Sequence, residues 1–263
     1  ASSPRLGANM IDYDVQTRSN AKRLLASLGD ELPLKCSMSY AFDDELGFAI
    51  AEILKREGVV LHCRHLTTSF DKGASFLRNG LLPWSDAIRL PDSPLARALA
   101  YGGVSYDAAA GLLLNGAYDS RLDLNRHLRY LKNDDCINAF LHCGTSDDCY
   151  FDSPEMLRSI ADKINSSRLK RAAAEWKIHS VKVCVSFSVP VEAVDVLTFR
   201  YSFDEDGRDA IYLALANTLL DVLESRDMSG SKIILKRGIS IPPDKLIVSI
   251  AEDLDWDYPE NVL

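Results

Sequence analysis

Cysteine is scarce: six residues in a chain of 263, with no Cys-x-x-Cys pair. That excludes a disulfide-stapled scaffold and leaves reduced thiols as the expectation. Cys136, Cys143 and Cys149 lie close to His142, but their spacings of seven and six residues do not match structural zinc patterns. Small apolar core residues account for them instead. No apolar run approaches the ~20 residues of a membrane span, and the N-terminal ASSPRLGANM has neither a basic stretch nor an apolar core of the signal-peptide type. The expectation is a soluble protein, cytoplasmic or secreted into a host cell without a classical signal. Basic residues are in deficit, 30 against 38 acidic for a net charge of −8, the wrong sign for a protein that grips phosphate backbones. Nucleic acid is therefore disfavoured as a partner, and the cluster Arg168, Lys170, Arg171 reads as a solvated helix face. Also missing are a GxGxxG or P-loop fingerprint, a GxSxG elbow and any internal repeat.

What remains is an ordinary globular composition, 47% hydrophobic and 26% charged. Helices are expected at Asn20–Leu28 and Asp43–Glu57, the latter capped by Asp43 or Asp44 and ended by Gly58. Val59–Thr67 reads as a strand and Lys72–Asn79 as a short helix stopped by Gly80. Residues 84–135 are broken by Pro91, Pro94, Gly102, Gly103, Gly111 and Gly116, which predicts a partly helical insertion with weak helices near Leu95–Ala100 and Asp107–Leu114. Ile137–His142 predicts a strand. A helix follows, with Ser153 as its N-cap and an apolar stripe from Met156 to Ile164. A charged helix near Arg168–Trp176 leads to the strictly alternating strand Val181–Val189. A helix over Asp209–Glu224 and strands at Lys232–Leu235 and Leu246–Ile250 complete the pattern. Strands and helices mix without regular βαβ alternation, so an antiparallel-rich α+β fold is expected, with an N-terminal helical region at 1–57 and the main domain over 58–263.

The stretch Leu61-His62-Cys63-Arg64-His65-Leu66-Thr67-Thr68, followed by Lys72-Gly73-Ala74-Ser75-Phe76-Leu77-Arg78-Asn79-Gly80-Leu81-Leu82-Pro83, resembles the NAD-dependent mono-ADP-ribosyltransferase superfamily of bacterial toxin and effector type. There a first core strand carries a His or Arg and then a hydroxyl residue, and a short helix ending in Gly-Leu follows; here His65 and Gly80 are fifteen residues apart. The resemblance implies split antiparallel sheets and NAD as co-substrate. His65 and Thr67, with Arg64 as neighbour, would contact its ribose hydroxyls and nicotinamide amide. Since strand side chains alternate, only one of Arg64 and His65 can enter the site, and His65 is the better match. A weaker likeness, Cys136–His142 with Ser153-Pro154-Glu155 beyond it, is to the next core strand of a DNA-modifying branch. It makes Tyr150 the candidate to stack on nicotinamide, with Tyr106 second.

A late strand in this superfamily opens with a catalytic Glu that supports the oxocarbenium-like transition state. The resembling stretch here is Lys232-Ile233-Ile234-Leu235-Lys236-Arg237-Gly238, and a lysine occupies the expected place. Glu224 is the substitute carboxylate, ahead of Asp227 and Glu252. The implied activity is transfer of ADP-ribose to a protein acceptor with release of nicotinamide, a glycosyltransferase reaction. For an effector, a host regulatory protein such as ubiquitin would fit. Lys232 keeps two alternatives open: an inactive module that binds NAD or a partner protein, and an NAD glycohydrolase.

Overall fold

The computed structural model describes residues 10–29, 32, 44–90, 92–107, 109–122, 136–143, 151–198, 209–224 and 231–251. Among these, seven strands form one sheet. In chain order they are β1 (Ile11–Tyr13), β2 (Val59–Ser69), β6 (Asn138–Phe140), β7 (Val181–Pro190), β8 (Val194–Thr198), β9 (Lys232–Leu235) and β10 (Ile247–Ile250). The spatial order is β10-β7-β2-β6-β9-β8, every neighbouring pair antiparallel, and the short β1 joins β2 in parallel at Val59–Leu61. A separate three-stranded sheet holds β3 (Val104–Asp107), β4 (Gly111–Leu114) and β5 (Ala117–Tyr118). The architecture is mixed helix and antiparallel sheet, α+β. No helix among the described residues is long and apolar enough to cross a membrane.

Helices α1 (Arg18–Leu28), α2 (Asp44–Glu57) and α8 (Asp209–Leu223) cover one face of the large sheet. The Thr17 hydroxyl caps α1 by accepting from the Asn20 amide. At the other end of α2, Gly58 in a left-handed conformation returns its N–H to Leu54 and releases the chain into β2. The β-branched start and alternating burial of β2 then put Val59, Leu61 and Cys63 into the core. Leu215, Leu219 and Leu223 of α8 recur along one side of that helix and are all buried there, each contributing about 1.5–3 kcal/mol by leaving water. The N-terminal elements share this core: Tyr13 is fully buried and its hydroxyl donates to the Leu215 carbonyl at 2.6 Å.

On the opposite face, Leu66, Phe140, Cys143, Phe151, Cys184 and Ala251 form a small cluster. Beside it stands a second core made by α5 (Pro94–Tyr101), α6 (Glu155–Lys163), α7 (Ser167–His179) and the small sheet. The short helices α3 (Ala74–Asn79) and α4 (Trp84–Ala87) link β2 to this region.

The expected helix at Asp107–Leu114 is a β-hairpin. The Asp107 carboxylate accepts from the Ala109 and Ala110 amides at 2.9 and 2.7 Å, and Gly111 turns with a positive φ, so the local polar chemistry forms a turn where periodicity suggested a helix. Strands β1, β5 and β8 were not anticipated; β1 has three residues and β5 two, too few to show a period. Ser153 is buried and does not cap α6, which starts after Pro154 with no side-chain cap. The acidic cap expected at Asp43 or Asp44 lies outside the described side chains.

Candidate functional site

The polar end of β2 sits in the middle of the large sheet, between β7 and β6. The cross-strand row Ser186, Arg64, Phe140, Lys232 fixes which side chains share a face. One step along each strand, His65, Val185, Ala139 and Ile233 emerge on the other face, the one covered by α8. Arg64 and His65 therefore point to opposite sides.

His65 is half-buried, and its Nδ1 lies 2.7 Å from the backbone carbonyl of Asn138 on β6. A carbonyl can only accept, so Nδ1 carries the proton and Nε2 keeps its lone pair. Burial lowers the imidazole's pKa below its ordinary 6.5; the Asn138 contact pulls the other way, and the charge of Lys232 adds to the lowering. His65 is thus a neutral hydrogen-bond acceptor at neutral pH. Thr67 shares its face, opposite Val183, and is half-buried.

The Gly-Leu end of α3 is tied to the segment that precedes β10. Gly80 has φ of 83°, and a side chain there would bring a Cβ within 2.4 Å of the Ile241 carbonyl oxygen. This approach lets Leu81 and Ile241 exchange backbone hydrogen bonds, 2.9 Å each way. Ahead of α3, Asp71 accepts from Ser69 and Ser75 and pairs with Arg78. Partial burial works against its charge, but the two hydroxyls and the guanidinium hold its carboxyl below the usual range.

The other expected site residues are spread out. Lys232 opens β9 but shares Arg64's face, and the β9 residue on His65's face is Ile233, fully buried in the core. Glu224 is half-buried just beyond α8, its N–H bonded to Leu220, so it terminates the helix that packs on His65's face. Tyr106 belongs to the small sheet, where Arg89 donates to its hydroxyl at 2.9 Å and lies over its ring. Tyr150, Asp227 and Glu252 lie outside the described residues.

Two features escaped the sequence reading. His62 bridges Asp12, through Nε2, and Ser188, 3.3 Å from Nδ1. This joins β1, β2 and β7, but the Asp12 side chain is 76% exposed, and a carboxylate that open to water orients an imidazole weakly. The second is a groove between α5 and α7. Its periodic faces, Pro94-Arg97-Ala98-Tyr101 and Arg171-Ala172-Glu175-Trp176, are legible in the sequence, but their pairing across space is not. No protein-family model matches the chain, and no curated protein or solved structure matches it either.

Proposed function

We propose that the chain is an NAD-dependent mono-ADP-ribosyltransferase that modifies a protein acceptor. The observation that carries this reading is adjacency: β2, β6 and β9, the three strands bearing the sequence resemblance, are hydrogen-bonded neighbours, and His65 on β2 bonds across to β6 through Nδ1, which leaves its Nε2 lone pair as an acceptor. In this reading Nε2 accepts from a ribose hydroxyl of NAD, and the Thr67 hydroxyl completes the polar contacts on the same face. Glu224, ending the helix on that face, supplies the carboxylate that steadies positive charge on the ribose as the bond to nicotinamide breaks. The acceptor's nucleophile then bonds to the ribose carbon and loses its proton, and nicotinamide leaves as a neutral amide. A chain of net charge −8 favours a basic-faced protein acceptor, ubiquitin being of the right kind.

The alternative, a silent module that binds NAD without turning it over, draws on one observation: β9 offers His65's face a buried isoleucine and turns its lysine away. Incubation with labelled NAD and a cell lysate separates the two. Label on protein that disappears in His65→Ala and Glu224→Gln supports the transferase, whereas NAD binding without nicotinamide release supports the silent module. Nicotinamide release without label would mean a glycohydrolase.

A further inference from the structure

The groove between α5 and α7 brings aromatic rings and two arginines together. Its volume is about 710 Å³, within the ~300–1,000 Å³ range of small-molecule sites. The floor is Trp176, only 6% exposed, whose indole N–H donates to the Thr68 hydroxyl at 2.9 Å; that hydroxyl in turn donates to the Asp152 carbonyl. The ring is therefore locked in place. Phe70 meets it edge-on at 4.7 Å yet remains 43% exposed, and Tyr101 at the end of α5 is 53% exposed. The small Ala98 and Ala172 keep the space between the helices open.

The groove's charge runs against that of the chain as a whole. Arg97 and Arg171 both line it, and Glu175 is its one carboxylate. Glu175 lies 3.8 Å from Arg171 and also takes His179 at 3.1 Å, while the Arg97 guanidinium has no ion-pair partner among the described residues. Glu175 offsets only one of the two arginines, so the groove keeps a net positive charge, and arginine matches phosphate oxygens in a bidentate way. Exposed aromatic rings beside them offer stacking to a base. An acidic peptide would satisfy the arginines but would leave Phe70 and Tyr101 without a matching surface.

We infer that this groove binds a nucleoside diphosphate, its base stacked on Tyr101 and Phe70 and its phosphates held by Arg97 and Arg171. The site is distinct from the His65 region. Thr68 leaves β2 on the face opposite to His65 and bonds Trp176, against which Phe70 packs just beyond the strand, so NAD bound at His65 does not fill the groove.

Titration calorimetry of the full chain with ADP tests this, with adenosine, inorganic pyrophosphate and a thymidine octanucleotide as parallel probes. ADP is expected to bind, at least tenfold more tightly than adenosine or pyrophosphate. Arg97→Glu, Arg171→Glu and Tyr101→Ala should each weaken it tenfold or more, while His65→Ala leaves it unchanged. Arg97 and Tyr101 are exposed, so their variants should melt with the parent, which keeps a binding loss interpretable. The inference is overturned if ADP fails to bind, if pyrophosphate binds as well as ADP, or if only the octanucleotide binds. It is equally overturned if His65→Ala abolishes ADP binding, which would locate the nucleotide on the other face. Loss of NAD turnover in His65→Ala with ADP binding intact separates the two readings.

Discussion

His65 donates from Nδ1 to the carbonyl of Asn138, 73 residues further along the chain, and so joins two strands through a ring whose burial disfavours protonation. Its folded-state pKa lies below the ordinary 6.5 because the site is buried, so the unfolded chain takes up a proton first as the solution acidifies. Stability attributable to this residue is complete above pH 6.5 and is lost as the pH falls through that value toward the lowered folded one. Urea unfolding at pH 7.5 and 5.5 should show the loss, and His65→Gln should reduce the difference between the two conditions. An unchanged difference would mean that another group sets it.

Gly80→Ala should destabilise the protein by about 1–3 kcal/mol, because a left-handed backbone and a Cβ driven to 2.4 Å from the Ile241 oxygen are both imposed at once. Thermal melting reads the cost. Amide exchange at Leu81 and Ile241 should accelerate in the same variant, since their paired backbone bonds depend on that approach.

Placing a carboxylate on β9 at Lys232 should not raise NAD turnover, because that side chain shares Arg64's face and not His65's. Ile233→Glu reaches the right face but puts a charge at a fully buried position, so it should unfold the domain or cost at least about 3 kcal/mol. If Lys232→Glu instead yields nicotinamide release well above the parent, Glu224 is not the working carboxylate.

Asp12→Asn should cost less than about 1 kcal/mol, the usual worth of an exposed ion pair. By contrast Leu219→Ala, inside the large core, should cost about 2–5 kcal/mol through the cavity it leaves. Denaturant midpoints of the two variants make the comparison directly. A large loss in the Asp12 variant would show that the His62 clasp holds β1 in place.

The long elements were legible because their physics is local. The alternation Val181–Val189 and the apolar stripe Met156–Ile164 each report which face is buried, and the described strand and helix follow them. Turn chemistry misled where a few polar atoms outweighed periodicity, as at Asp107. The faces of Arg64 and His65 follow from alternation alone, but Lys232 could be placed on Arg64's side only once the register of β6 between β2 and β9 was known. Likewise Trp176 and Thr68 are 108 residues apart, and no spacing rule brings them to 2.9 Å.

The Tyr13 hydroxyl and the Leu215 carbonyl are separated by 202 positions. During synthesis the segment carrying β1 therefore emerges long before the helix that receives it. Its parallel ladder to β2 is only three residues long, too little to hold it alone. The burial of Tyr13 is therefore completed last: its hydroxyl finds its acceptor only when α8 has been made and docked. Until then the core side chains of β2, α1 and α2 that pack against α8 lack that cover.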